Sequence, residues 1–580
     1  MPQRLTLQSL MIMNKQTNFF LFILFMMSSI TYAQIENDSL GTQTVNVEKT
    51  FIPSVTEAKK IKSVPEADNS SAVEKLKTTF QIQSIPVASV FNPAKPNTRK
   101  LVLTDVNKFF ANRLMMMAGN YGTLIADFSG AFKLSINKKV SVLFDHYGSQ
   151  GGVAETKLED DFSATHLELD FSNITRSNEW SINGLVGFQK RQWYGVPKGL
   201  WHEEQLNDIN NGHQWVTYSL GSVLKPDLDW LEKMEIQFDG IADNYDNAEI
   251  VVLAETLAQL PAFEDTFQST FAVQYRKYQT PQEEDQTFDH ALFTLSPTFK
   301  IQSGDLSLDL GASGYYQLTD DPDASEILIV PNIHLSYLVD ALVLRFKATG
   351  KVDQHTYRNF LSRNNYFGPN NSISAEEIPL HLSAGVEMPL SSDWGWNASA
   401  SYESAKRKSM FVLNAIDENI FQDYSFGNSF GLLIDDIKTS SFKTGLMYTG
   451  FDKATIHVSG TYNQFSTSEQ TYFFNRPNLE AALIINATLS DNWSMSLIGI
   501  FFGDRKDVLA YTNEANGNLT ETINISSFAD INWSTVYKLS ERWSAEARVN
   551  NIFDAKQARW GFYNVQGIQA LVGLHYNFDW

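Results

Sequence analysis

From about residue 111 onward this 580-residue chain repeats one pattern, segments of roughly 9 to 15 residues in which apolar and polar side chains alternate between turn residues. In "THLELDFSNI", Leu167, Leu169 and Phe171 fall on one side, and His166, Glu168 and Asp170 on the other. In "RWSAEARVNN", Trp543, Ala545, Ala547 and Val549 oppose Ser544, Glu546, Arg548 and Asn550. "GIQALVGLHYNFDW" closes the chain with Ile568, Ala570, Val572, Leu574, Tyr576, Phe578 and Trp580 on a single apolar row. A period of two sends successive side chains to opposite faces of a β-strand, so each segment has one greasy face and one wet face. Past the first 33 residues no apolar run approaches the roughly 20 residues of a membrane-spanning helix. Whatever covers the greasy faces must therefore cover strands.

Alternation alone fits two solutions, a soluble sandwich with the apolar faces inward or a membrane barrel with them outward. The turns separate the two. Polar turns lead into tryptophan in "SNEWSINGLVGF" (Trp180), "SSDWGWNASASY" (Trp394 and Trp396), "SDNWSMSLIGIF" (Trp493) and "SERWSAEARVNN" (Trp543), each ring in register with its strand's apolar face. Rings gathered at one end of the greasy face, beside short turns, make an interfacial girdle, whereas a sandwich core places its bulkiest residues mid-strand. The other connections read as long polar loops, around 191–210, 245–264, 355–377, 406–424 and 505–524. The pattern predicts an all-β fold, a transmembrane antiparallel β-barrel of 20–22 strands over residues 111–580, with 22 favoured because closure without an edge takes an even number. The last strand should pair with a first strand near "GNYGTLIADF".

The start of the chain reads as an export signal, residues 1–33, with Lys15 before an apolar core from Phe19 to Met27 and small residues ahead of a cut after Ala33. Residues 34–110 carry Pro53, Pro65, Pro86, Pro93 and Pro96 without sustained alternation, and are expected to form an irregular segment in the periplasm or in the lumen. A net charge of -21 argues against nucleic acid as a partner, and the absence of cysteine excludes disulfides, thiolate nucleophiles and cysteine-bound metals. Outer-membrane lipid is the expected surrounding.

"AGNYGTLIADFSGAF" from Ala118, "KKVSVLFDHYGSQGGV" from Lys138 and the C-terminal "FADINWSTVYKLSERWSAEARVNNIFDAKQARWGFYNVQGIQALVGLHYNF", with its "VNNIFD" at Val549 to Asp554, resemble the opening and closing strands of TonB-dependent receptors. The resemblance extends over about 470 of the 580 residues. It implies a Gram-negative outer-membrane barrel engaged in solute passage or uptake. The family's folded plug is missing, since only about 77 residues lie between Ala33 and the barrel, and no TonB box is legible among them. The chain thus resembles a plugless relative, whose coupling to TonB is left open. Its lumen must be filled by residues 34–110, by inward loops and charged rows, or by a partner. The alternative function is a non-transporting structural or scaffold subunit holding other outer-membrane proteins or surface lipoproteins.

Each catalytic pattern in the sequence lacks a necessary part. "GNSFG" centres Ser429 as a nucleophile elbow would, but that geometry needs a following helix and "LLIDDIKTSSF" reads as a strand. "HEEQL" at His202 lacks the second histidine of a zinc helix and reads as a loop. Asp320, Asp321 and Asp323 could ligate calcium but read as a solvated loop tip, and the ten histidines show no ligand spacing. His575 alternates inward as a lumen residue. No catalytic, cofactor, metal or substrate-binding residue is assigned, no cofactor is expected, and the chain is not read as an enzyme.

Overall fold

The computed structural model describes residues 110–579 apart from His202, Asp208, 263–264, 281–285, 320–325, Asn370, 418–421 and 514–516. The export signal, all of the N-terminal segment except Phe110, the aspartates at 320, 321 and 323, and Trp580 lie outside the described residues. Within them the chain forms a single 22-stranded sheet closed on itself. The first strand, Asn112–Gly119, pairs antiparallel with the second, Leu124–Lys133, on one side and with the last, Gln569–Phe578, on the other, in a register running from Asn112↔Phe578 to Gly119↔Leu571. Every backbone donor and acceptor of the wall can thus find a neighbour, as a sheet in hydrocarbon requires. "GNYGTLIADF" itself supplies the first turn and the second strand. The closing partner is the "NRLMMMAG" just before it, whose methionines hid a regular strand.

The alternation points as expected. Ile568, Val572 and Leu574 are exposed on the outer face, while Gln569, Leu571 and His575 are buried on the inner one. Leu167, Leu169, Phe188, Leu220, Ile236, Phe271, Leu295 and Ile329 continue the exposed apolar surface around the wall. No water-soluble monomer carries such a continuous apolar belt, and lipid is its solvent. No helix among the described residues is long and apolar enough to cross a membrane.

At one end of the wall every described connection is a short turn. Three share the sequence Leu-Ser-x-x-Trp, at Leu390–Trp394, Leu489–Trp493 and Leu539–Trp543. In the first, Ser391 Oγ accepts the N–H groups of Asp393 and Trp394 at 3.2 and 3.3 Å. In the third, Ser540 Oγ accepts those of Arg542 and Trp543 at 3.3 and 3.1 Å. The hydroxyl closes the turn and sets the tryptophan as the first strand residue, on the lipid side. Rings from neighbouring strands meet these tryptophans, Trp180 with Phe171 at 5.1 Å, Trp394 with Tyr448 at 4.5 Å and Trp543 with Tyr576 at 4.6 Å. They form the girdle at the periplasmic interface.

The opposite end carries the long loops, with corrections to their limits. Residues 248–262 form a wall strand and the loop before it shrinks to 244–247, because Ala254, Thr256 and Ala258 continue the outward row with side chains too small to register as greasy. The strand Trp394–Leu413 runs well into the stretch expected as loop 406–424, leaving 414–429. Arg505–Asn513 and Gly517–Ile525 pair antiparallel with each other, joined in parallel by Ile416–Asp417 and separate from the wall. "HEEQL" contributes a one-turn helix, Glu203–Asn207, where a loop was expected, and a second helix covers Tyr357–Arg363.

Candidate functional site

Among the described residues the long loops 193–211, 354–375, 414–429 and 551–568 do not stand out into water. They fold over the barrel mouth and pack on one another. A 22-stranded wall is roughly 40 Å across, from strand spacing and tilt. The loop 193–211, between the fifth and sixth wall strands, reaches the loop 414–429, between the fifteenth and sixteenth, so the contact spans nearly a diameter. There Trp201 Nε1 donates to the Phe426 carbonyl at 3.1 Å, and Asp423 Oδ1 accepts the Asn210 N–H at 3.1 Å. Tyr357, Phe360, Phe367, Phe411, Phe430 and Tyr563, from four different segments, form the buried centre of this cap.

The centre is built from rings because loops lack a ladder to organise them, and large rigid side chains bury most surface for least entropy. Tyr366 stacks on Tyr563 with centroids 3.7 Å apart, and Tyr194 meets both. Trp560 closes on Phe411 and Phe430 at 5.5 Å each. A Cβ on Gly195 would lie 2.4 Å from the Tyr563 ring, so only glycine lets that ring rest on the backbone. Burial pushes the phenols of Tyr194, Tyr357 and Tyr563 well above their ordinary pKa, keeping all three protonated. As donors they reach the Asn564 carbonyl (2.8 Å), Asp243 Oδ2 (2.6 Å) and the Asn428 carbonyl.

The helix Tyr357–Arg363 is pinned from the wall. Thr356 caps it, its hydroxyl accepting the Asn359 N–H at 3.0 Å. The Glu249 carboxyl accepts the N–H groups of Tyr357 and Arg358 at 3.0 and 3.4 Å, at the start of the helix. Arg276, fully buried, donates to the carbonyls of His355 and Ile373, the second at 2.9 Å, and so clasps both ends of the loop 354–375. Side chains also satisfy loop backbones elsewhere. Asn475 Nδ2 donates to the Phe411 carbonyl at 3.0 Å, Asn428 Nδ2 to that of Asp423 at 2.8 Å, and Arg505 to those of Arg559 and Ala558.

Beneath the cap the inner wall is polar and largely ion-paired: Arg113 with Asp127 at 2.7 Å, Lys233 with Glu235 at 2.6 Å, Arg345 with Glu387 at 2.5 Å, and Lys408 with Glu403 at 2.6 Å. A polar cavity of about 510 Å³ lies against the helix, lined by Ser219, Gln237, Asp239, Gln274, Arg358 and Asn359 among others. His575 sits in this inner layer with Nε2 2.6 Å from Glu546, as its place in the last strand predicts. Ser429 is buried at the base of the cap, accepting from Asn414 Nδ2 at 2.6 Å and donating to the Tyr424 carbonyl at 2.7 Å, and a wall strand follows it. It is a structural hydroxyl. No group of three His, Asp or Glu among the described residues is placed to hold a metal.

Solved structures share this barrel. A point mutant of the ferric enterobactin receptor PfeA of Pseudomonas aeruginosa superposes with a TM-score of 0.60 over 80% of each chain at 13% identity. The fold is that of a TonB-dependent receptor barrel. The FrpB iron transporter of Neisseria meningitidis gives 0.60 over 82% of each chain at 10% identity. The ferric-catecholate import receptor Fiu of E. coli K12 gives 0.57, again over 82% of each chain, at 9% identity. No protein-family model matches the chain, and no curated protein does. Together with the lipid-facing belt, the shared architecture places this receptor-like barrel in the outer membrane.

The wall tryptophans, the inward charged rows and His575 are where the sequence put them. The cap was foreseen only as one of three ways to fill the lumen. Its residues carry one faint signal, aromatic residues inside polar loops, as in "RQWYGVP" and "ARWGFYN", where solvated loops have little use for them.

Proposed function

We propose that this chain passes a solute across the outer membrane, with the loop-built cap as its outer gate. The arrangement that carries this reading is an aromatic cap held by a few polar clasps over an ion-paired polar lumen. A scaffold needs neither a polar lumen nor a removable cover. Residues 1–33 are its export signal, and residues 34–110 act from the periplasmic side or within the lumen. Coupling to TonB, which lacks a legible box, forms no part of the proposal. No enzymatic role is proposed, because the one nucleophile motif holds a structural serine.

Planar-bilayer conductance tests the gate. The full-length protein is expected to be closed, Arg276→Met to flicker open, and Arg276→Met combined with deletion of residues 34–109 to conduct steadily. If the combined variant folds as a barrel and stays closed, solute passage is wrong and the scaffold reading replaces it.

A further inference from the structure

Most luminal arginines of this barrel face a carboxylate: Arg113 faces Asp127, Arg345 Glu387, Arg358 Asp239, Arg407 Glu377, and Arg548 Glu546. Four arginines of the cap depart from that rule. Arg363 ends the helix Tyr357–Arg363, Arg476 lies in the loop before the strand Leu479–Ser490, Arg505 opens the cap hairpin, and Arg559 sits in the loop before the last strand. Each lies over a ring in place of an acid: Arg363 on Phe360 (5.9 Å), Arg476 on Phe473 (5.7 Å), Arg505 on Phe528 (5.3 Å) and Arg559 on Phe502 (5.9 Å). Among the described residues none of the four forms an ion pair with a carboxylate.

They are also held close to one another. Phe502 and Phe528 are register partners with rings 5.2 Å apart, so Arg505 and Arg559 share one aromatic platform. Arg505 donates to the Arg559 carbonyl as well, fixing the two segments together. Glu480, the register partner of Phe502, is the acid within electrostatic reach of Arg476, Arg505, Arg559 and Lys443 together. The other acids nearby are engaged. Glu376 binds Lys408 and His355, Asp504 accepts the Ser527 N–H at 2.6 Å, and Asp507 is buried among backbone donors. Burial, and then the charge of Arg363, pull the Arg476 pKa down to about 10. Burial and Arg559 do the same to Arg505. Arg363, Arg559 and Lys443 remain exposed. Arg505 spends both terminal nitrogens on the Arg559 and Ala558 carbonyls and contributes charge, while the guanidinium forks of Arg476 and Arg559 form no ion pair among the described residues. Like charges packed this closely favour an anion, and a guanidinium fork matches phosphate and carboxylate oxygens.

We propose that Arg363, Arg476, Arg505 and Arg559 form a binding site for a multiply charged oxyanion, a solute bearing phosphate or carboxylate groups. The site gives the proposed passage a substrate class and rests on that reading for its purpose. Its test is equilibrium binding, which succeeds or fails independently of conductance.

Isothermal titration of the detergent-purified full-length protein with pyrophosphate and, separately, with citrate distinguishes the two chemistries. Saturable binding of at least one probe is expected. Arg476→Gln with Arg559→Gln should weaken it about tenfold or more, and Arg345→Gln, which removes a luminal charge elsewhere, should leave it within about twofold. Should the double variant fail to assemble, the exposed Arg559→Gln alone carries the comparison. Absence of saturable binding of both probes overturns the site, as does equal weakening by Arg345→Gln, which would mean unspecific attraction.

Discussion

The wall and the cap of this barrel are stabilised in opposite ways. In the wall each residue does what its neighbours do, so that apolar side chains meet lipid, polar ones meet the lumen, and the adjacent strand satisfies the backbone whatever the side chains are. In the cap the backbone is satisfied by particular side chains, Arg276, Asn428, Asn475 and Arg505 among them, and the packing depends on particular rings. The wall is therefore redundant and the cap is not. A cover that depends on single clasps can be released without unfolding what it covers, and a gate needs that property.

The largest effect should follow from removing the clasp with two hands. Arg276→Met strips the partners from the His355 and Ile373 carbonyls and leaves Glu249 with Arg358 as its neighbouring cation, which should cost the cap about 3–5 kcal/mol. Hydrogen exchange of residues 354–375 should accelerate strongly, while the barrel keeps its heat-resistant gel migration. Equal loss of both would mean that cap and wall are one cooperative unit. Next, the wall's own rule can be broken at adjacent positions. Leu574→Arg puts a charge toward lipid, at about 2–4 kcal/mol near the midplane, and should sharply reduce outer-membrane assembly. His575→Arg, one residue on and beside Glu546, should assemble normally. Similar yields for the two would contradict the orientation of the last strand. A smaller change tests the cap's polar stitching, since Tyr563→Phe removes the hydroxyl's bonds to the Asn428 carbonyl and the Gly195 N–H and leaves the ring in place. It should cost about 1 kcal/mol and speed proteolysis of the loop 551–568 modestly.

The same contrast explains what the sequence reveals. Period-two alternation, tryptophans after short turns and inward acids are local signals, and they suffice for strand number, orientation and membrane face. They weaken where side chains are small or atypical, as in Ala254, Thr256 and Ala258 or the methionines of Asn112–Gly119. The cap is assembled from contacts between residues far apart in the chain, such as Trp201 with Phe426 or Tyr366 with Tyr563. No local pattern encodes which loop meets which. The four cap arginines are likewise unremarkable one by one, and become a candidate site only when folding sets Arg505 and Arg559 on the Phe528–Phe502 pair and brings Arg363 and Arg476, on Phe360 and Phe473, into the same cap.

A further prediction concerns a charge buried in the cap. Asp507 is fully buried in the hairpin that starts at Arg505, and its Oδ1 accepts the N–H groups of Val508 at 2.8 Å and Leu413 at 3.4 Å. Burial pushes its carboxyl up to about 7, the bonds from the Asn475 side chain and the backbone only partly opposing that shift. Its unfolded value lies near 4. Between those two values the folded cap holds a proton that the unfolded segment has lost, so stability must fall as pH rises through this window and level off above about 7. Asp507→Asn keeps an acceptor oxygen for Val508 and cannot ionise. It should remove that slope, leaving the variant's cap at pH 8 no less protected than the wild-type cap at pH 5, by exchange of residues 505–513. Wall amides remote from the hairpin, such as those of Leu306–Leu318, should show no matching pH dependence. If they did, the cap would not be opening on its own.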